Sequence, residues 1–182
     1  MSLPWRLVVV HDARATCGPV DDLVRVGLDE LGVGAAGGAV RHHCPSCGSS
    51  DHGRPWLEGL VGNRPIHLSV ARCPGRSVVA LTESGPIGVD VERSGSARPQ
   101  DVDQVIGSGT GDATRRWVRT EARLKAAGHG FARPAAPTVA SPAWRSDLDL
   151  GEGFVAAVAV LTAAETDPEL VVIQAAVATP SR

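Results

Sequence analysis

Short runs of β-branched and small apolar residues, each closed by turn formers, limit what this chain can fold into more than any other feature of its sequence. Residues 5–11 (WRLVVVH), 66–70 (IHLSV) and 77–92 (SVVALTESGPIGVDVE) have the composition of strands. PTVASPAW, GFVAAVAVLT and ELVVIQAAVA in the last third read the same way and are expected to form one antiparallel sheet. Helical spacing is confined to two places. DDLVRVGLDELGVG (21–34) carries apolar residues along one stripe and closes on a glycine; ATRRWVRTEARLKAA (113–127) is rich in helix formers, free of proline and followed by Gly128. Residues 93–113, rich in Gly, Ser and Asp, read as a linker with at most a short helix at DVDQVI. The order β, α, ββ, α, βββ predicts an α+β fold, with residues 1–84 and 85–182 as two small lobes of one or two domains.

A net charge of −2 and an isoelectric point near 6.3 supply no basic field, which argues against DNA or RNA as a main partner. An anion has to be bound locally. No segment approaches twenty uninterrupted apolar residues, and the early run LVVV is too short for a secretory core, so a cytoplasmic protein without membrane contact is expected. Cys17, Cys44, Cys47 and Cys73 are then thiols or metal ligands rather than a disulfide framework. Of the 18 basic residues only Lys125 is a lysine. Where every other cation is arginine, the one lysine marks a position that needs a compact point charge.

Two patterns carry chemistry. In GPIGVDVE (85–92), Asp90 and Glu92 stand at i and i+2 of a strand, hence on one face. Two carboxylates so placed are either solvated acids at a strand end or the oxygens of a divalent-cation site. In the second helix, Glu121 and Lys125 share a face one turn apart, with Trp117 one turn earlier.

The two patterns in this order, Gly88-Val89-Asp90-Val91-Glu92 and then Trp117, Glu121 and Lys125, resemble the paired signatures of the 4′-phosphopantetheinyl transferase superfamily in its longer, two-lobed form, the surfactin-synthetase-activating type. Further matches flank them. Gly53-Arg54-Pro55 is similar to the family's G-K/R-P. IHLSVARCPG takes the place of its H-F-N-x-S-H-S-G stretch. Gly128 to Phe131 is similar to its G-x-G-[LF], and GEGFVAAVAV to its closing strand.

The resemblance implies two pseudo-twofold-related lobes, each a helix on a small antiparallel sheet, with coenzyme A between them. It implies a monomer that moves phosphopantetheine from coenzyme A to a serine of an acyl or peptidyl carrier protein. Asp90, Glu92 and Glu121 would hold Mg²⁺, Lys125 would meet a phosphate, and Glu121 or a water beside it would act as base. Arg54 and Arg72 fall where the family binds the 3′-phosphate, and His67 matches a histidine that is either structural or lines the nucleotide pocket. The chain departs from the pattern at Thr120, where the family usually has lysine, and at Ala71 and Cys73, which replace serines. The stretch between the two signatures is also short. A homologue that binds coenzyme A or a carrier protein without transfer is the alternative reading.

A second site is suggested by HHCPSCGSSDHG. Cys44 and Cys47 in C-x-x-C spacing, followed by His52, resemble one knuckle of a zinc ribbon, with Cys73, His43, His42 or Cys17 eligible as a fourth ligand to structural Zn²⁺. A small zinc-binding interaction module is accordingly a further alternative.

Overall fold

The computed structural model describes residues 4–12, 20–33, 39–44, 47–58, 65–128 and 143–175. In chain order these form β1 (Arg6–Asp12), α1 (Val20–Glu30), β2 (Ala39–His43), β3 (Arg54–Glu58), β4 (His67–Cys73), β5 (Arg76–Thr82) and β6 (Ile87–Arg93), followed by α2 (Pro99–Ile106), α3 (Ala113–Ala126), β7 (Ala143–Leu148), β8 (Phe154–Leu161) and β9 (Glu169–Gln174). The class is mixed α+β. Strands β4-β5-β1-β9 make one sheet and β6-β8-β7 a second, while β2 and β3 pair as a separate ribbon. Among the described residues no helix is long and apolar enough to cross a membrane.

Period-two alternation sets the layers. Leu7, Val9, Val78 and Ala80 from the first sheet meet Ile87, Val89, Val91, Ala156, Val158 and Val160 from the second, so the two sheets share one buried interface. The intervening residues Val8, Val10, Val79 and Leu81 face α1, through Leu23, Val24 and Leu28. On the far side Val155, Ala157 and Ala159 of β8 face Val118, Ala122 and Ala126 of α3. The molecule is therefore stacked as helix, sheet, sheet, helix.

The same connectivity occurs twice. β1, α1, β4 and β5 form a strand-helix-strand-strand unit with sheet order β4-β5-β1; β6, α3, β7 and β8 repeat it with order β7-β8-β6. The two units join where β4 lies beside β6, and the buried Ser69 hydroxyl there accepts the amide of Val89 at 3.0 Å.

Three expectations need correction. ELVVIQ does not extend the sheet of the second unit: β9 pairs in parallel with β1, Arg6 opposite Glu169 and His11 opposite Gln174, so only β7 and β8 join β6 in antiparallel array. An apolar run fits either sheet, and the partner is chosen by packing that local pattern does not encode. Either side of HHCPSCGSSDHG, where no strand was expected, the chain forms the antiparallel ribbon β2–β3, Ala39 opposite Glu58 and His43 opposite Arg54. The first helix ends at Glu30, not at residue 34, because Gly32 at φ 73° turns the chain and the Val33 amide reaches back to Leu28 O at 3.0 Å. The short helix foreseen at DVDQVI is α2, while the matches at Gly130 and Phe131 and most of PTVASPAW lie outside the described residues.

Gly88 governs how closely α3 approaches. A Cβ on Gly88 would overlap the carbonyl oxygen of Ala122 and crowd the Ala126 amide and the Lys125 Cβ, so backbone of strand and helix touch directly. We expect Gly88→Ala to destabilise the protein by about 3 kcal/mol in urea unfolding, since the neighbours are main chain and cannot turn aside. A loss under about 0.5 kcal/mol would show that α3 can shift freely.

Candidate functional site

With Ile87, Val89 and Val91 in the core between the sheets, Gly88, Asp90 and Glu92 face α3. The helix is capped by Asp112, whose side chain accepts the Arg115 amide at 2.7 Å. Its face toward β6 presents Glu121, Ala122 and Lys125. Strand and helix thus bring together four of the residues singled out by sequence.

Lys125 Nζ donates to Asp90 Oδ1 at 2.8 Å and to Val89 O at 3.1 Å, and the two side chains are 28% and 9% exposed. The ammonium is held in place by one charged and one neutral acceptor. Asp90 Oδ2 and Glu121 Oε2 are buried and make no hydrogen bond among the described residues. Buried carboxylate oxygens without partners are costly, and they are where a cation or an incoming donor is accepted.

All three acids resist ionisation. Burial pushes the Asp90 carboxyl above its ordinary range, against the pull of Lys125. Burial and then the charge of Asp90 raise Glu92, whose Oε2 accepts a long 3.4 Å bond from Ser96. Burial raises Glu121, and Asp90 and Glu92 add to it while Lys125 opposes. The three feel one another's charge, yet the acids are not drawn into a cluster tight enough to grip one ion as they stand; among the described residues the set whose ligand atoms lie within 4.8 Å of one another is Cys44, Cys47 and His52.

A cavity of about 280 Å³ opens over Asp90 and Lys125. Its walls are Val70, Ala71 and Arg72 from β4, His42 and Pro55 from the ribbon, and Gly53 just before β3. Arg72 is exposed at this wall and makes no ion pair among the described residues. Arg54 and His67 stand beside the cavity rather than in its lining. Burial, and then the charge of Arg54, hold the His67 imidazole below its usual pKa. Arg54 Nη1 comes within 3.2 Å of where a Cβ on Gly128 would sit, at the end of α3 that favours a cation.

Sequence reasoning missed two features. His42 lines the cavity because it is cross-strand partner to Pro55, a placement visible only once the ribbon is known. Arg76 is buried, donates to the His11 Nδ1 at 3.0 Å and lies 4.2 Å from the centre of the Phe154 ring. No local pattern announces that pair. Arg119, next to Thr120 in sequence, is bound at 2.7 Å through Nε and Nη2 to Asp147, which Arg115 also holds. The Thr120 hydroxyl turns back to Arg116 O at 2.9 Å.

Cys73 is excluded as a metal ligand: it is buried between the sheets, where desolvation pushes its thiol up to about 11. Cys17 lies outside the described residues. No family model matches the chain, and no curated protein matches it.

A carboxyl with a raised pKa binds more protons folded than unfolded, so its contribution to stability is present below the unfolded pKa and is lost as pH rises through the folded value. We therefore expect Glu121→Gln, in chelated buffer, to melt higher than the parent at about pH 7, with the gain vanishing below about pH 4. Melting curves across this range test it; a difference that does not vary with pH counts against the strained carboxylate.

Proposed function

We propose that the protein transfers the 4′-phosphopantetheine arm of coenzyme A to a serine hydroxyl of an acyl or peptidyl carrier protein. One observation carries the reading. A lysine pinned by Asp90 lines a cavity together with that aspartate and Arg72, and Asp90 and the nearby Glu121 each keep a buried oxygen without a partner among the described residues. The repeated strand-helix-strand-strand unit supports the two-lobed, pseudo-twofold transferase fold that the motifs resemble.

The orphaned oxygens suit Mg²⁺, a hard cation that takes carboxylate oxygens and keeps some of its waters. Asp90, Glu92 and Glu121 would hold it, and when bound it supplies positive charge over the pyrophosphate oxygens. The chain's own residues do the rest. Lys125, oriented by Asp90, meets a phosphate oxygen as a point charge. Arg72 and Arg54 fork onto the 3′-phosphate. The serine oxygen attacks the pyrophosphate phosphorus that bears the pantetheine arm. The bond to the adenosine phosphate breaks and adenosine 3′,5′-bisphosphate leaves. Glu121, whose proton affinity burial raises, or a water beside it takes the serine proton.

Thr120 favours a second reading, a homologue that binds coenzyme A without transfer. Its hydroxyl is spent on the helix backbone and Arg119 is committed to Asp147, so neither adds charge at the pyrophosphate. Intact mass of apo carrier proteins incubated with the protein, Mg²⁺ and coenzyme A separates the two. We expect a gain of one phosphopantetheine arm, none with Glu121→Ala, and a rate about tenfold lower or less with Lys125→Arg at nearly unchanged melting temperature. Magnesium-dependent coenzyme A binding without any mass gain would favour the second reading, and no binding would defeat both.

A further inference from the structure

The β2–β3 ribbon meets the core through Val40 and Leu57, which pack against the cluster under α1. It is two strands of five residues each, outside both main sheets, and a two-stranded hairpin alone is marginal in water. Residues 47–53, which precede β3, form no helix or strand, and ordering such a segment costs entropy.

Cys44, Cys47 and His52 are gathered here. One ligand atom from each lies within 4.8 Å of the others, and Cys47 Sγ is 3.3 Å from His52 Nε2. Two atoms on one tetrahedral zinc, at about 2.3 Å for sulfur and 2.0 Å for nitrogen, stand about 3.5 Å apart. The thiols are not joined in a disulfide. The backbone turns as a metal knuckle needs: the Gly48 amide donates to Cys44 O at 2.8 Å, the Cys44 amide to Ser49 O at 3.0 Å, and Gly48 takes φ 74°. Cys47 and His52 are exposed, so an ion can enter from solvent.

We propose that Cys44, Cys47 and His52 bind one Zn²⁺, with a water in the fourth position, and that this ion clamps the loop and so sets the wall of the cavity that His42, Gly53 and Pro55 supply. Thiolates select zinc over magnesium or calcium, and the donor set of two sulfurs and one imidazole is a borderline-soft one. Binding sends the two thiol protons to solvent, so affinity rises with pH. The clamp also fixes Arg54, which follows Gly53, where a Cβ would strike the His43 carbonyl and the chain has no latitude to shift. None of this depends on which ligand the cavity takes.

The test uses the full chain purified under reductant from zinc-supplemented culture. Elemental analysis should give about one zinc per chain, falling below about a tenth in Cys47→Ser. A chelator should lower the melting temperature of the parent and leave that of Cys47→Ser unchanged. Cobalt in place of zinc should show thiolate-to-metal charge-transfer absorption, and amide exchange across residues 39–58 should quicken when the ion is removed. If Cys47→Ser does not fold, His52→Ala, which alters only an exposed loop side chain, should weaken zinc binding at least tenfold while keeping the thiolate band. Equal zinc in parent and variants, or a reduced parent that takes up no zinc, overturns the proposal.

Discussion

The direct contact of β6 backbone with α3 backbone at Gly88 is what the remainder of the site depends on. Because no side chain separates them, and because Ala122 and Ala126 on the helix face small residues of β8, α3 settles low over the sheet. Lys125 then lies along the strand instead of above it, and its ammonium reaches the Val89 carbonyl and the Asp90 carboxylate together. A helix raised by one methyl would leave the lysine in water and the aspartate buried without a cation, an arrangement that costs several kcal/mol.

The same closeness explains the electrostatic tension. Three acids are brought to one face with a single lysine, and each is held toward its neutral form by burial before any neighbour acts. Hydrophobic packing between the sheets supplies the stability that lets this persist. The seam where Ser69 accepts the Val89 amide carries Arg72 to the same cavity from the other unit. Arg72 therefore comes from the first unit and Lys125 with the three acids from the second, and the junction of the two units is what brings them together.

Much of this could be read from the sequence where the physics is local. Alternation put Asp90 and Glu92 on one face, and helical spacing put Glu121 one turn from Lys125; both hold because strand and helix periods are fixed by backbone geometry. What could not be read is non-local. ELVVIQ carries no mark that says which sheet it joins, and its parallel place beside β1 follows from packing. Arg41, His42 and His43 have no strand-like alternation of apolar residues, so the ribbon was hidden behind its own cysteine loop, and with it the part His42 plays in the cavity. The Lys125–Asp90 bond joins residues 35 positions apart, which no short motif expresses.

The parallel place of β9 has a consequence in time. The Trp5 indole donates to Thr166 O, 161 positions away, and β1 lies between β5 and β9 as an interior strand. During synthesis β1 emerges long before β9, so β1 keeps an unpaired edge until Glu169–Gln174 has left the ribosome. Contacts of such separation slow folding, and an open edge of Leu7, Val8, Val9 and Val10 invites pairing with other chains. The protein is consequently most vulnerable to aggregation when it is newly made, and truncation before Glu169 would make that transient exposure permanent.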